Sequence, residues 1–341
     1  MRILQVITDT DRRGAQVFAT DLGAAMVDRG HDVRTVALAP GKAHPPLDVE
    51  VLGSSRRGVH TLRSLRRMMR DVDVTIAHGS ATGAACALAG IGPGRPFVYR
   101  QISDTRFWAD TLVRRARVSA YLRMARRIVA LSEGAKADLV DHLKLPATRI
   151  VVVPNGVPVK DFRVPTDAER SAARATLGLP ADGFVATYIG ALVPEKGVDT
   201  AIEALAGGDD TLMIAGSGPD EGRLKALPGA SSPNVHFVGG LDRPITAYWA
   251  SDVVLLPSKG GDSMPATLIE AGFCGVASVS TDIGSITDIV VDDSTGVIVP
   301  PNDPDRLRNA VLSLRADGLR SQQLGDAARQ HCLGLFEIGD D

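Results

Sequence analysis

Ser258–Pro300 reads SKGGDSMPATLIEAGFCGVASVSTDIGSITDIVVDDSTGVIVP, and its first part sets two acids, Asp262 and Glu270, eight residues apart around a predicted helix start. Just before it, the apolar run Asp252–Pro257 (DVVLLP) predicts a short buried parallel strand, and Ala266–Cys274 has the composition of a helix. The connection Gly260-Gly261-Asp262-Ser263-Met264-Pro265 carries two glycines that let the backbone approach a ligand. Its proline suits the first turn of the helix, where a missing N–H costs nothing. A strand, a glycine-bearing loop and a helix N-terminus present free N–H groups and the positive end of a dipole, where phosphate or sugar oxygens bind. Asp262 stands before the helix, placed to accept sugar hydroxyls, and Glu270 lies more than one turn inside it, placed to grip ribose hydroxyls. The same spacing also fits Asp262 as a helix cap and Glu270 as a solvated face residue.

Outward from this stretch, strands alternate with helices in both halves. The first half reads as strands at Arg2–Thr8, Asp32–Ala37, Val72–Ala77, Phe97–Tyr99 and Ile128–Leu131, with a helix at Ala15–Arg29. The rhythm restarts with Phe184–Ile189, Val198–Ala206, Thr211–Ala215, Asn234–Val238, Asp252–Pro257, Val276–Ser278 and Gly296–Val299. Alternation of this kind predicts an α/β fold of parallel sheets covered by helices on both faces. Such sheets bind ligands at the carboxyl ends of their strands, where the strand order reverses. Periodicity breaks at Val157–Asp167 (VPVKDFRVPTD). The expected organisation is two doubly wound, Rossmann-like domains, 1–163 and 164–341, facing a central cleft.

The composition frames this reading. A chain of 341 residues with 44% hydrophobic and 23% charged residues has room for two globular domains. No apolar run reaches the roughly 18 residues of a membrane span; Thr82–Gly92 comes nearest. The N-terminus MRILQVITDTDRR turns charged after one strand length and does not read as a signal peptide. Cys86, Cys274 and Cys332 lie far apart without metal-ligand spacing, so a reducing cytoplasm and no structural metal are expected. Charge is divided unevenly: residues 1–163 hold 26 Lys and Arg against 15 Asp and Glu, and residues 164–341 hold 12 against 25. Much of the excess lies in Arg56–Arg70 and Arg106–Arg127, both readable as amphipathic helices. They fit contact with an anionic acceptor or the inner face of a membrane, and equally a pair of solvated faces attracting the acidic half. No recognition motif or aromatic-interleaved basic patch points to nucleic acid.

The order of motifs resembles the family 4 glycosyltransferases of GT-B fold. It runs through Arg13-Gly14-Ala15-Gln16, Arg29–Val33 (RGHDV), Val153–Val157 (VPNGV), Ile189–Gly197 (IGALVPEKG), Ala215–Pro219 (AGSGP), Val235–Gly239 (VHFVG) and the opening stretch. The resemblance covers nearly the whole chain. It implies a retaining hexosyltransferase that needs no cofactor and no metal, with a nucleotide-sugar donor (UDP- or GDP-linked) held by the C-terminal domain. The acceptor, small or lipid-linked, would be held by the N-terminal domain. Carried over, Lys196 would neutralise the donor diphosphate, Glu270 hold the ribose, and Asp262 stand where the family usually has glutamate. The backbone of Ser263, Met264, Pro265, Ala266 and Thr267 would cradle sugar and phosphate, with Gly216 and Val238–Gly240 bordering the nucleotide. Gly14 matches the small residue that lets donor phosphate and acceptor approach, although a turn-forming glycine is an equal reading. Catalysis would be front-face substitution, the departing phosphate oxygen taking the acceptor's proton, without a protein nucleophile.

Three departures from the family pattern stand out. Ala191 occupies a position where arginine is usual, leaving Lys196 to carry the phosphate charge with help from Arg12, Arg13, Arg100 or Lys259. Tyr99–Asp104 lacks the histidine that many relatives carry, so His78, after the preceding strand, is the candidate to line the site. The chain stops at Leu335–Asp341, which implies a shortened interdomain clamp. Among rival classes, a nicotinamide-dependent dehydrogenase needs three glycines after its first strand, and Asp9–Gly14 supplies one. A nucleotide-sugar-binding homologue with weakened catalysis fits Ala191 and Asp262 better, and a GT-B epimerase is a more distant option.

Overall fold

The computed structural model describes residues 1–42, 46–91, 96–241 and 243–338. They form two compact units, Met1–Gly156 joined by Ile338, and Val157–Glu337. The seam falls earlier than the expected 163/164 boundary, for a local reason. Val157 N–H donates to the Phe336 carbonyl at 2.8 Å, and Phe162 meets Tyr248 edge to face with centroids 5.8 Å apart. The proline-rich connection is therefore packed into the second unit. Of the expected terminal segment, Gly339, Asp340 and Asp341 lie outside the described residues.

The first unit holds seven strands: β1 (Arg2–Ile7), β2 (Asp32–Ala37), β3 (Glu50–Val51), β4 (Val74–His78), β5 (Val98–Arg100), β6 (Arg127–Ala130) and β7 (Ile150–Val152). Its helices are α1 (Gly14–Asp28), α2 (Val59–Asp71), α3 (Ser80–Ala89), α4 (Thr105–Trp108), α5 (Leu112–Leu122) and α6 (Glu133–Asp141). The strands lie in the order β3-β2-β1-β4-β5-β6-β7, and the neighbours pair in parallel. In α2, Thr61, Leu65 and Met69 recur at helical spacing and are buried, while Arg63, Arg67 and Arg70 face water. Arg66 donates to the carbonyls of Ala89 and Ile91 at 3.1 and 2.7 Å, closing the end of α3. The basic stretch Arg106–Arg127 is not one helix. Asp104 caps α4 and Thr111 caps α5, each accepting a backbone N–H, and Arg127 already belongs to β6.

The second unit holds β8 (Val185–Ile189), β9 (Thr211–Ala215), β10 (Val235–Gly239), β11 (Val253–Leu256), β12 (Ala277–Thr281) and β13 (Gly296–Val299). Its helices are α7 (Asp167–Thr176), α8 (Val198–Leu205), α9 (Glu221–Lys225), α10 (Ile245–Ala250), α11 (Ala266–Phe273), α12 (Ile286–Ile289), α13 (Pro304–Ala316) and α14 (Gly318–Leu335). The strand order is β10-β9-β8-β11-β12-β13, again with parallel neighbours. Every residue of β8, β9, β11 and β12 is buried. Continuous rather than alternating burial is what a parallel sheet with both faces covered requires.

Each sheet reverses its strand order once, between β1 and β4 and between β8 and β11. The loops leaving these strands are where this architecture places ligands. Among the described residues, no helix is long and apolar enough to cross a membrane.

Candidate active site

In the second unit the loops after β8 and β11 touch backbone to backbone. Gly197 sits at φ 67°, and a Cβ there would fall 1.9 Å from the Pro257 carbonyl oxygen, so only glycine permits the approach. Lys259 N–H donates to the Glu195 carbonyl at 2.8 Å across the same seam. The contact carries Lys196, the last residue of a short 3-10 turn (Pro194–Lys196), to Asp262. Lys196 Nζ donates to one carboxylate oxygen of Asp262 and the Ser258 hydroxyl donates to the other. Asp262 is only 8% exposed and Ser258 is fully buried. An ammonium on one oxygen and a hydroxyl on the other thus give both oxygens of this buried carboxylate a hydrogen-bond donor.

This arrangement removes the cap reading of Asp262 and the solvated-face reading of Glu270. Asp262 does not cap α11: the N-cap residue is Pro265, which makes no side-chain cap bond. Pro265 thus stands one place before the first turn, not within it. The N–H groups of Ala266 and Thr267, which open that turn, have no intrahelical partner, while Leu268 N–H donates to the Pro265 carbonyl at 3.2 Å. Ser263 and Met264 are buried. The Ser263 carbonyl accepts from Ser285 N–H at 2.8 Å, and the Thr267 hydroxyl donates to the Ile189 carbonyl at 3.3 Å. Glu270 is half-buried, not a free surface group: it accepts from the Tyr248 hydroxyl at 2.5 Å. Burial first, and the Glu270 charge second, push the Tyr248 hydroxyl well above its ordinary range, so it remains a donor.

Gly216 follows β9, where a Cβ would fall 1.8 Å from the Gly190 carbonyl oxygen. Its N–H donates to Gly239 at 2.8 Å, tying it to the border formed by Val238, Gly239 and Gly240. Ala191, standing where arginine was expected, offers only its carbonyl, which accepts from the Tyr188 hydroxyl at 2.7 Å. Lys259 is held by Asp199 at 2.9 Å, and Arg223 is held by Asp199 and Asp220. Lys259 and Arg223 are thus already paired within the unit.

In the first unit, Gly14 is the first residue of α1. A Cβ there would meet nothing within 4 Å, and its φ is not among the positive ones, so the turn does not demand glycine. Arg13 and Arg56 both reach Asp9, at 3.3 and 2.6 Å, with Gln16 on the other carboxylate oxygen at 2.9 Å. His78 ends β4 and is 2% exposed. Its Nε2 lies 2.9 Å from Gln5 Oε1, and Gln5 Nε2 donates to the Ala19 carbonyl at 2.8 Å. Gln5 therefore accepts from His78, leaving Nδ1 as an acceptor, and among the described residues that buried atom has no partner. Burial, with the charge of Arg100 adding, pulls the imidazole down to about 3, so it is neutral. Arg100 ends β5, pairs in register with His78, and is 4% exposed. Sequence spacing carried no signal for Tyr248 or Gln5. Ser258 was marked only by its position at the end of a predicted strand, and Asn155 only as part of the Val153–Val157 motif, with no role given to its side chain.

A model of glycosyl transferases group 1 matches residues 169–331, and a model of Glycosyltransferase Family 4 matches residues 12–161. The chain belongs to the family 4 glycosyltransferases. The two matches divide this family 4 chain near the seam between its units. It is similar to a GDP-mannose-dependent monoacylated alpha-(1-6)-phosphatidylinositol monomannoside mannosyltransferase of Corynebacterium glutamicum, with 33% identity over 192 residues, 52% of this chain and 50% of that one. It is also similar to a D-inositol 3-phosphate glycosyltransferase of Acidothermus cellulolyticus, with 33% identity over 216 residues, 58% of this chain and 47% of that one. The chain thus spans about half the length of these two relatives. A structure of Anabaena Alr3699/HepE in complex with UDP and glucose superposes with a TM-score of 0.87 at 19% identity, covering 99% of this chain and 96% of that chain. That likeness establishes the GT-B fold.

Proposed function

We propose that the protein is a retaining glycosyltransferase that moves a hexose-type sugar from a UDP- or GDP-linked donor to a lipid-linked or otherwise anionic acceptor. The observation that carries this reading is the grouping of Lys196, Asp262 and Ser258 before the uncapped N-terminus of α11, with Glu270 one turn further in. The donor diphosphate would draw Lys196 away from Asp262, and the N–H groups of α11 would share its charge. Asp262, released, would accept sugar hydroxyls while Ser258 holds its other oxygen, and Glu270, fixed by Tyr248, would take the ribose. In front-face substitution the bond from the anomeric carbon to the phosphate oxygen breaks as the acceptor oxygen bonds to the same face. The leaving oxygen takes the acceptor's proton, and no metal has a step to perform.

The names of the relatives support a nucleotide-sugar donor. The mannosyltransferase relative is named for GDP-mannose, and one Alr3699/HepE structure holds UDP-glucose. The basic first unit supports peripheral contact with the inner face of a membrane: Phe107, Leu112 and Val113 are exposed apolar residues beside Arg114 and Arg117. Flotation with anionic vesicles checks that part, and protein left wholly in solution overturns it.

The central test is thermal stabilisation by UDP-glucose and GDP-mannose, followed by transfer or hydrolysis of the donor that binds. A ligand at 100 times its Kd stabilises by about 2.7 kcal/mol. No shift with any nucleotide-sugar would overturn donor binding. A second reading, a nucleotide-sugar-binding protein with weakened catalysis, draws on Ala191, which removes one of the two cations expected on the diphosphate. A shift without turnover would favour it.

A further inference from the structure

Among the described residues, Arg100 is a buried cation without a counter-charge. Its guanidinium carbon lies 3.6 Å from the centroid of the Phe18 ring, and its Nη2 donates to the Asn155 side-chain oxygen. Among the described residues no Asp or Glu forms an ion pair with it, and burial is the one cause acting on its protonation, pulling the guanidinium down to about 9. It is still charged at neutral pH. Its charge acts on the neutral His78, whose Nδ1 is buried and, among the described residues, unpartnered. Asp9, just after β1, is taken by Arg13 and Arg56.

A guanidinium costs free energy to bury, and a protein normally offsets that with a carboxylate and a full set of acceptors. Arg174 shows this chain doing so. It is equally buried, at 6% exposure, and donates to the carbonyls of Ala250, Ala181 and Gly183 and to the carboxylate of Asp252. Arg100 has an amide and a ring instead, and it sits at the carboxyl end of β5, beside the point where the sheet's strand order reverses. Arginine presents a planar fork that matches an oxyanion with two hydrogen bonds. We infer that Arg100, steadied by Asn155 and Phe18, is the oxyanion-binding residue of the first unit, and that the molecule it takes also carries a hydroxyl donated to His78 Nδ1. Calling that molecule the acceptor rests on the transfer reading above, whereas the oxyanion site itself does not.

The experiment titrates inorganic phosphate into the full chain and follows the melting temperature, in wild type, in Lys196→Ala, and in Lys196→Ala with Arg100→Gln or Asn155→Asp added. Phosphate is expected to stabilise Lys196→Ala, in which the donor phosphate site has lost its cation, and to bind at least about tenfold more weakly when Arg100→Gln is added in that background. Asn155→Asp places a carboxylate against the guanidinium with almost no change of shape, so it is expected to melt higher without ligand and to lose the phosphate response. That variant keeps the test open if Arg100→Gln does not fold. An equal phosphate response in Lys196→Ala whether or not Arg100→Gln or Asn155→Asp is added, or none in Lys196→Ala, overturns the site. UDP-glucose or GDP-mannose, whichever stabilises wild type, is expected to lose most of its shift in Lys196→Ala, whose phosphate response persists, which separates this site from the donor site. Flotation with phosphatidylinositol vesicles identifies the source of the oxyanion. Binding that falls with Arg100→Gln assigns a lipid headgroup, and unchanged binding assigns a soluble phosphate ester.

Discussion

Arg174 in the second unit and Arg100 in the first are both buried, yet one closes its circle of partners and the other leaves it open. The contrast extends to the strand-end loops around them. In the second unit Lys196 is met by Asp262, Lys259 by Asp199, and Arg223 by Asp199 and Asp220. The glycines there lock one loop backbone against another. In the first unit, the residues closing β4 and β5 are a neutral imidazole with one idle nitrogen and a cation with neutral neighbours. A site that stores its own counter-ions is preformed for one kind of ligand and exchanges partners when it arrives. A site that stores an unmet charge depends on the ligand to supply the missing one.

The largest expected effect tests the closed side of this contrast. Arg174→Ala removes the partner of three carbonyls and one of two arginines on Asp252, whose remaining supports are Arg170 and the Val185 N–H. Breaking a buried pair typically costs about 3–5 kcal/mol, and urea unfolding should show a loss near that size. A loss below about 1 kcal/mol would mean that the buried arginine is not structural and that its likeness to Arg100 is closer than the geometry indicates. Next in size, Lys196→Ala is expected to lower transfer by about 100-fold or more, the usual consequence of losing one group that stabilises developing charge. Glu270→Ala should lose transfer to a similar degree, with Tyr248 left buried beside a void. Retained wild-type turnover in either variant, with its fold intact by circular dichroism, would remove that residue from the site.

Much of this contrast was legible in the sequence, and the illegible part has physical causes. Strands buried on both faces, such as β8 and β9, declare themselves as apolar runs. The two-residue edge strand β3 is fully exposed, and β7 alternates too briefly to register. Lys196, Asp262 and Glu270 were readable because motif order marks them. Their partners Ser258 and Tyr248 were not, since a hydroxyl at a strand end and a tyrosine on α10 have no distinctive spacing. Arg100 appeared in the sequence only as one of several arginines near the phosphate, because burial without a counter-ion is a property of the fold alone. The basic run from Arg106 misled for the opposite reason: its charge pattern is helical, but Asp104 and Thr111 cut it into two separately capped pieces.

A smaller effect comes from the open side and appears with acid. His78 has its pKa pulled from 6.5 to about 3 by burial, helped by Arg100. The unfolded chain therefore binds a proton between those values that the folded chain refuses. Stability is complete above about pH 6.5 and falls as pH drops, with a slope approaching about 1.4 kcal/mol per pH unit. Urea midpoints between pH 6.5 and 4.5 cover the window before exposed carboxylates titrate. His78→Gln, which keeps a neutral polar group, should flatten that slope. An unchanged slope would mean that His78 is reached by water and that the β4 end is less closed than its 2% exposure indicates.

The smallest expected effect is the sharpest on the contrast itself. Arg100→Met keeps much of the aliphatic stem and its contact with Phe18 but removes the charge. If Arg100 served the fold as Arg174 does, the cost would again be about 3–5 kcal/mol. With no carboxylate left behind and only one amide losing a partner, the balance is different. The lost bond to Asn155 costs about 1 kcal/mol, and relief of an uncompensated buried charge offsets it. The expected change in unliganded stability is therefore within about 1 kcal/mol of zero. A melting curve that drops as far as that of Arg174→Ala would make Arg100 a structural arginine. An unshifted curve leaves its charge with no task in the empty protein, and assigns it to the ligand.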